Sequence, residues 1–114
     1  MRTDERVIDD VLVLSIRERR VDARSAPALK ERIASFVTAG SEWIVLDMSE
    51  VEFIDSSGLG AIMSALKLLG RKGDLVVAGA REPVISLFRL TRMDKVFLMF
   101  GTTDEARQAL ATRK

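Results

Sequence analysis

Residues 43–60 read Trp43-Ile44-Val45-Leu46-Asp47-Met48-Ser49-Glu50-Val51-Glu52-Phe53-Ile54-Asp55-Ser56-Ser57-Gly58-Leu59-Gly60. The run from Trp43 to Met48 is nearly continuous in apolar residues and of strand length, which suits a central strand covered on both faces. After the Ser49-Glu50 break, Val51 and Phe53-Ile54 form a second, shorter run. From Ser57 the period changes. Leu59, Ile62, Met63, Leu66 and Leu69 fall on one face of a helix, with Lys67, Arg71 and Lys72 on another, and Gly70 and Gly73 end it. A buried strand that passes into a helix is half of a parallel βαβ unit, so this stretch directs the whole chain toward an α/β fold.

Working outward, Val7-Ile8 and Val11 to Ile16 flank Asp9-Asp10, which predicts a hairpin around a tight turn. A polar stretch from Arg17 to Arg24 follows. Ser25-Ala26-Pro27 then begins a helix carrying Leu29, Ile33, Phe36 and Val37, with Gly40 as its left-handed cap. Beyond the central segment, Leu75 to Gly79 reads as a strand, and Pro83 starts a short helix with Val84, Leu87 and Phe88 inward. Val96 to Phe100 reads as the last strand. Thr102 and Glu105 have the spacing of a capping box, so a helix with Ala106, Ala109 and Leu110 closes the chain, its Arg113-Lys114 end matching the helix dipole. The expected fold is one α/β domain over residues 1–114, with a mostly parallel sheet of about five strands, an N-terminal antiparallel strand and about four helices.

Composition narrows the chemistry. The 114 residues are 47% hydrophobic and 31% charged, a globular balance with little room for a disordered tract. Eighteen Lys and Arg against seventeen Asp and Glu, without a basic block larger than Arg17, Arg19 and Arg20 around Glu18, give no nucleic-acid footprint. There is no cysteine and no histidine, which removes disulfides, thiolate chemistry, Cys- or His-based metal sites and the imidazole base that most hydrolases need. The N-terminal residues resemble neither a signal sequence nor a membrane span, which needs roughly 20 apolar residues, so a cytoplasmic location is expected. An even surface charge with no obvious apolar stripe favours a monomer.

The chemistry-bearing segment is Asp55-Ser56-Ser57-Gly58-Leu59-Gly60, at the edge of an open parallel sheet where ligands and partners usually meet such a protein. Two glycines in a first helical turn weaken it by roughly 1 kcal/mol each relative to Ala and leave the backbone open to close approach. A phosphoryl group on Ser56 or Ser57 would bring about −1.5 to −2 charges to the positive end of the helix and beside the like charge of Asp55. Spacing alone leaves two readings open: a phospho-switch, or three polar residues that cap a helix.

Other motifs fail on their own terms. A nucleophile elbow needs Gly two residues before the serine, where Ile54 or Asp55 stands. Gly58-Leu59-Gly60 begins a dinucleotide fingerprint whose third glycine position is Met63, and no phosphate loop occurs. Asp47, Glu50, Glu52 and Asp55 are close enough in sequence to suggest magnesium, although solvated loop carboxylates are the commoner case. No catalytic residue, cofactor or metal is therefore expected.

The whole run from Ile44 to Gly60 resembles the signature of the STAS domain family, specifically its anti-sigma factor antagonists. Val21-Asp22, Gly79-Ala80-Arg81-Glu82-Pro83 with Val84, Leu87, Phe88 and Leu90, and the closing Asp104-Glu105-Ala106 extend the likeness over essentially the entire chain. The resemblance implies a STAS-type domain in which Ser56 is phosphorylated by a serine-kinase anti-sigma factor and dephosphorylated by a metal-dependent serine phosphatase. It implies that the unphosphorylated form binds the kinase and that phosphorylation breaks the complex. Asp55 would take part in kinase recognition, and Asp22, at the end of the second strand, would share the rim. Ser57, Gly58, Leu59 and Gly60 would belong to the contact surface, Met63 would reach the partner, and Ser57 is also left as the helix cap. Arg19 stands where the family often has glycine, three residues before Asp22, so Arg19, Arg20 and Arg24 read either as an acidic-partner contact or as solvated charge. The alternative is a scaffold or transport-associated STAS module that binds without a phospho-switch.

Overall fold

The computed structural model describes residues 1–113, with strand β1 at Thr3–Ile8, β2 at Val11–Ile16 and β3 at Arg20–Val21. Helix α1 spans Ala26–Thr38, followed by β4 at Trp43–Asp47, β5 at Phe53–Ile54 and α2 at Ser56–Leu69. Then come β6 at Asp74–Ala78, α3 at Glu82–Leu90, a 3₁₀ turn at Met93–Lys95, β7 at Met99–Phe100 and α4 at Thr103–Ala111.

Five strands make the main sheet in the order β1-β2-β4-β6-β7, antiparallel between β1 and β2 and parallel elsewhere. The hairpin turn puts both Asp9 and Asp10 at positive φ, 52° and 67°, as a two-residue turn matched to strand twist requires. β4 lies at the centre, and its Val45 faces one side while Ile44 and Leu46 face the other. This double burial is why its sequence does not alternate.

Two apolar layers result. One packs α1, α2 and α3 on Leu12, Leu14, Ile44, Leu46, Leu75 and Val77, with Phe88 and Phe97 meeting edge to face at 5.9 Å between ring centroids. The other packs α4, through Ala106 and Leu110, on Val11, Val13, Val45, Val76 and Ala78, and half-buried Trp43 packs beside it. Helix α4 begins with the expected capping box, the Glu105 N–H donating to Thr102 Oγ1 at 3.1 Å. At the end of α1, Gly40 at φ +113° donates to the Val37 carbonyl while Ser41 donates to Phe36, the paired bonds of a Schellman motif. No helix among the described residues is long and apolar enough to cross a membrane.

Four details differ from the sequence reading. β1 starts at Thr3, because its polar residues lie on an edge strand where solvent takes their side chains. The polar stretch after β2 contains β3, which pairs in parallel with β5 as a separate two-stranded sheet, so Asp22 follows β3 and not the second strand. β7 keeps only two of the expected residues, since the Val96 N–H closes the 3₁₀ turn on the Met93 carbonyl and the Phe97 N–H turns back to the same oxygen. Helix α4 stops at Ala111, which puts Arg113 past its end and in an ion pair with Asp74; Lys114 lies outside the described residues.

Candidate functional site

The site is assembled where β5 passes into α2. Asp55 has extended backbone, φ −110° and ψ −175°, and its Oδ1 accepts the Gly58 N–H at 3.0 Å. Asp55 is therefore the N-cap, and Ser56 and Ser57 are the first and second helical residues. The expectation that Ser57 caps the helix is corrected: its side chain already lies inside the first turn. Both serines are exposed, and among the described residues neither hydroxyl makes a hydrogen bond. Their backbone N–H groups also precede the first intrahelical acceptor, Asp55, whose carbonyl takes the Leu59 N–H.

The small sheet brings a second segment to this helix start. Arg20 is in register with Phe53 and Val21 with Ile54, and the Asp55 N–H donates to the Val21 carbonyl at 3.2 Å. A Cβ on Gly58 would stand 2.7 Å from that same carbonyl oxygen and 2.8 Å from Ile54 Cγ1. Glycine at 58 is required by this close approach. Gly60 differs, because nothing lies within 4 Å of a Cβ built there.

Asp22 consequently lies near the start of α2, half-buried, with Oδ1 accepting the Arg24 N–H at 3.0 Å and Oδ2 3.7 Å from Arg20 Nε. Arg20 places its guanidinium 4.3 Å above the Phe53 ring, and Arg19 is 3.7 Å from Glu52. These arginines thus have internal partners across β3 and β5, while remaining exposed.

The loop between β4 and β5 is held from below. Ser15, a buried residue of β2, donates to Asp47 Oδ2 at 2.8 Å, while Asp47 Oδ1 takes the Ser49 N–H at 3.0 Å. Arg81 Nε donates to the Ser49 carbonyl at 2.8 Å. Arg17 bonds Asp4 and Glu50, and these hydrogen bonds raise its pKa further above its already high ordinary value. Each of the four loop carboxylates thus has a partner: Asp47 holds the loop, Glu50 and Glu52 pair with arginines, and Asp55 caps α2. No three acidic side chains converge among the described residues.

The structure separates the candidate partner residues. Asp22, Asp55, Ser56, Ser57 and Gly60 share the rim at least partly exposed, whereas Gly58 and Leu59 are buried and act on the rim through packing. Leu59 turns into the core because it lies on the helix face that also buries Ile62, Ala65 and Leu69. Met63 is half-buried against that core. Sequence reading gave no role to Val21, whose carbonyl locks the two segments together, and missed Lys30. Lys30 of α1 faces Ser57, Gly60 and Ser64 of α2 across an open groove of about 500 Å³ that also includes Pro27. The one available signal was the small-residue spacing 57-60-64 on α2, which needs the position of α1 to be interpreted.

Chemically, Ser56 is a hydroxyl that no general base touches among the described residues, next to backbone donors at a helix N-terminus. A phosphoryl group on such a hydroxyl would find backbone donors to receive its charge. The fold and rim define the class: an α/β domain that presents an exposed serine at the junction of strand and helix.

The STAS domain model matches residues 2–106. The chain is 34% identical over 100 residues to the anti-sigma-F factor antagonist RsfB of Mycobacterium tuberculosis, covering 84% of this chain and 78% of that protein. It is 31% identical over 77 residues to the anti-sigma-B factor antagonist of Listeria monocytogenes, covering 67% and 68%. The crystal structure of an anti-sigma factor antagonist from Mycobacterium paratuberculosis superposes with a TM-score of 0.89 at 30% identity, over 96% of this chain and 93% of that one. The chain belongs to the STAS domain family.

Proposed function

We propose that this protein is an anti-sigma factor antagonist and the substrate, not the agent, of a phosphoryl transfer. Its unphosphorylated form binds a serine-kinase anti-sigma factor in the cytoplasm, and phosphorylation of Ser56 releases that partner. A metal-dependent serine phosphatase reverses the step. The observation that carries this reading is the division of labour at the start of α2: Asp55 supplies the cap, so the exposed, unbonded Ser56 hydroxyl has no structural duty. Relatives that are anti-sigma factor antagonists support the partner class.

A phosphoryl group at Ser56 would add about −1.5 to −2 charges beside Asp55 and close to Asp22, which changes the electrostatics of the rim without disturbing the core below. The exposed hydroxyl is the acceptor, and the Ser56 and Ser57 amides are available to the new oxygens. Incubation with the serine-kinase partner and ATP, followed by peptide mass spectrometry, tests the assignment. A single phosphate at Ser56, absent in Ser56→Ala and retained in Ser57→Ala, is expected; phosphate on Ser57 alone would move the switch by one residue and refute the assignment.

A further inference from the structure

β1 is an outer strand of the main sheet and, at 6 residues, as long as β2. Its register with β2 decides which of its backbone groups are spent. The Arg17 N–H donates to the Arg2 carbonyl at 2.9 Å, and this pair continues the ladder that sets Thr3 opposite Ile16. Alternation then turns the N–H and C=O of Asp4, Arg6 and Ile8 toward β2, and those of Thr3, Glu5 and Val7 away from the sheet. The side chains divide in the same way. Thr3, Glu5 and Val7 lie on the face of Leu12 and Leu14, where α1 packs, and Asp4 and Arg6 lie on the face of Val13, where α4 packs. Val7 is 70% exposed on this edge.

Charges on an outer strand ordinarily keep it from pairing. Here their order is self-complementary in one register. A two-fold axis normal to the sheet lays β1 antiparallel on the β1 of a second copy and passes through one residue of each strand. With the axis at Asp4, Asp4 meets Asp4 and Arg6 meets Arg2; with the axis at Arg6, two Arg6 side chains meet. With the axis at Glu5, Asp4 of each copy stands opposite Arg6 of the other. These are non-hydrogen-bonded positions, where Cα atoms are only about 4.5 Å apart and side chains lie closest. Both groups have capacity for this contact. Asp4 is 64% exposed in its side chain and gives only Oδ2 to Arg17, and the Arg6 guanidinium has no partner among the described residues. Glu5 meets its symmetry mate, and each brings the Arg32 that holds it at 3.1 Å. Thr3 stands opposite Val7 and covers its exposed side chain.

We infer that the free edge of β1 is a self-association surface, on which a second copy of this chain pairs β1 to β1 about Glu5 and joins the two main sheets into one. Thr3, Glu5 and Val7 supply the main-chain hydrogen bonds, and the reciprocal Asp4–Arg6 pairs fix the register. The even charge balance that favours a monomer in the sequence thus becomes an attraction once this register is imposed. The axis leaves α1 and α2 of both copies on the same face and points the two Ser56 rims in opposite directions. The interface uses no switch residue, so each rim stays open to its partner and the dimer carries two switches.

The test follows the full chain by analytical ultracentrifugation from micromolar to millimolar concentration, with hydrogen exchange of the ¹⁵N-labelled protein read by NMR over the same range. A reversible monomer–dimer equilibrium is expected, with exchange at the Thr3, Glu5 and Val7 amides slowing as dimer forms while Asp4 and Arg6, already bonded to β2, stay constant. Arg6→Asp alone and Asp4→Arg alone set like charges opposite each other, and each is expected to weaken self-association at least tenfold. An equimolar mixture of the two variants restores opposite charges at both positions and is expected to form a heterodimer with native-like affinity. A chain that stays monomeric at millimolar concentration would overturn the proposal, as would a dimer protected elsewhere, one that Arg6→Asp leaves unchanged, or a mixture that stays monomeric while each variant keeps its native unfolding midpoint.

Discussion

The Val21 carbonyl oxygen and the α carbon of Gly58 are in such close contact that a methyl group at position 58 would stand only 2.7 Å from that oxygen. This contact fixes the segment bearing Asp22 against the helix bearing Ser56. Replacing Gly58 by Ala should therefore destabilise the fold by about 1–3 kcal/mol, because backbone on one side and the Ile54 side chain on the other must move. Gly60→Ala should stabilise it by about 1 kcal/mol, since a Cβ there meets nothing and helix propensity improves. Urea unfolding of the two variants checks the contrast; equal effects would show that the two glycines are interchangeable.

Asp55 serves the helix in a way that Asn can replace. Asp55→Asn keeps a side-chain oxygen for the Gly58 N–H and should unfold within a few tenths of a kcal/mol of the native chain, whereas Asp55→Ala should lose about 1 kcal/mol. If Asp55 also serves kinase recognition, Asp55→Asn should slow phosphorylation of Ser56 while stability is preserved. Unchanged phosphorylation kinetics in that variant would confine Asp55 to capping.

The bond between Ser15 and Asp47 lies beneath the loop that leads to the switch. Asp47→Ala leaves the buried Ser15 hydroxyl without its acceptor and frees the Ser49 N–H, for a loss of about 1–3 kcal/mol. Adding Ser15→Ala removes the stranded donor and should recover part of that loss. A double-mutant cycle measures the coupling, and strictly additive losses would mean that the two side chains act independently.

The α1–α2 groove offers a different variant. Gly60→Arg projects a long side chain into open space and, like Gly60→Ala, is expected to raise the unfolding midpoint, yet to weaken binding of the kinase partner at least tenfold if the partner covers this groove. Calorimetric titration with native and variant protein measures it, and unchanged affinity would place the partner elsewhere on the rim.

Much of this architecture was readable because its elements obey local rules. Trp43 to Leu46 is apolar for burial on both faces, Asp9-Asp10 tolerates the positive φ of the hairpin turn, and Thr102 with Glu105 signals a helix start. β3 was not readable: Arg20-Val21 is two residues long, and its strand character comes from pairing with Phe53-Ile54, far away in sequence. Val96 to Leu98 looked like strand because it is apolar, but the Met93 carbonyl captures the Phe97 N–H, and Val96 and Leu98 remain exposed. At the switch, the position of Ser56 at a helix start was legible, while the choice of Asp55 as cap depended on a side-chain geometry that the three polar neighbours left undecided.

The central claim is that phosphate on Ser56 alone changes the affinity for the kinase partner. The direct measurement compares binding of that partner to the unphosphorylated chain and to the chain phosphorylated stoichiometrically at Ser56, by isothermal titration at one ionic strength. A fall in affinity of at least a hundredfold, equivalent to about 2.7 kcal/mol, with the unfolding midpoint little changed, is the predicted result. Equal affinities of the two forms would contradict it.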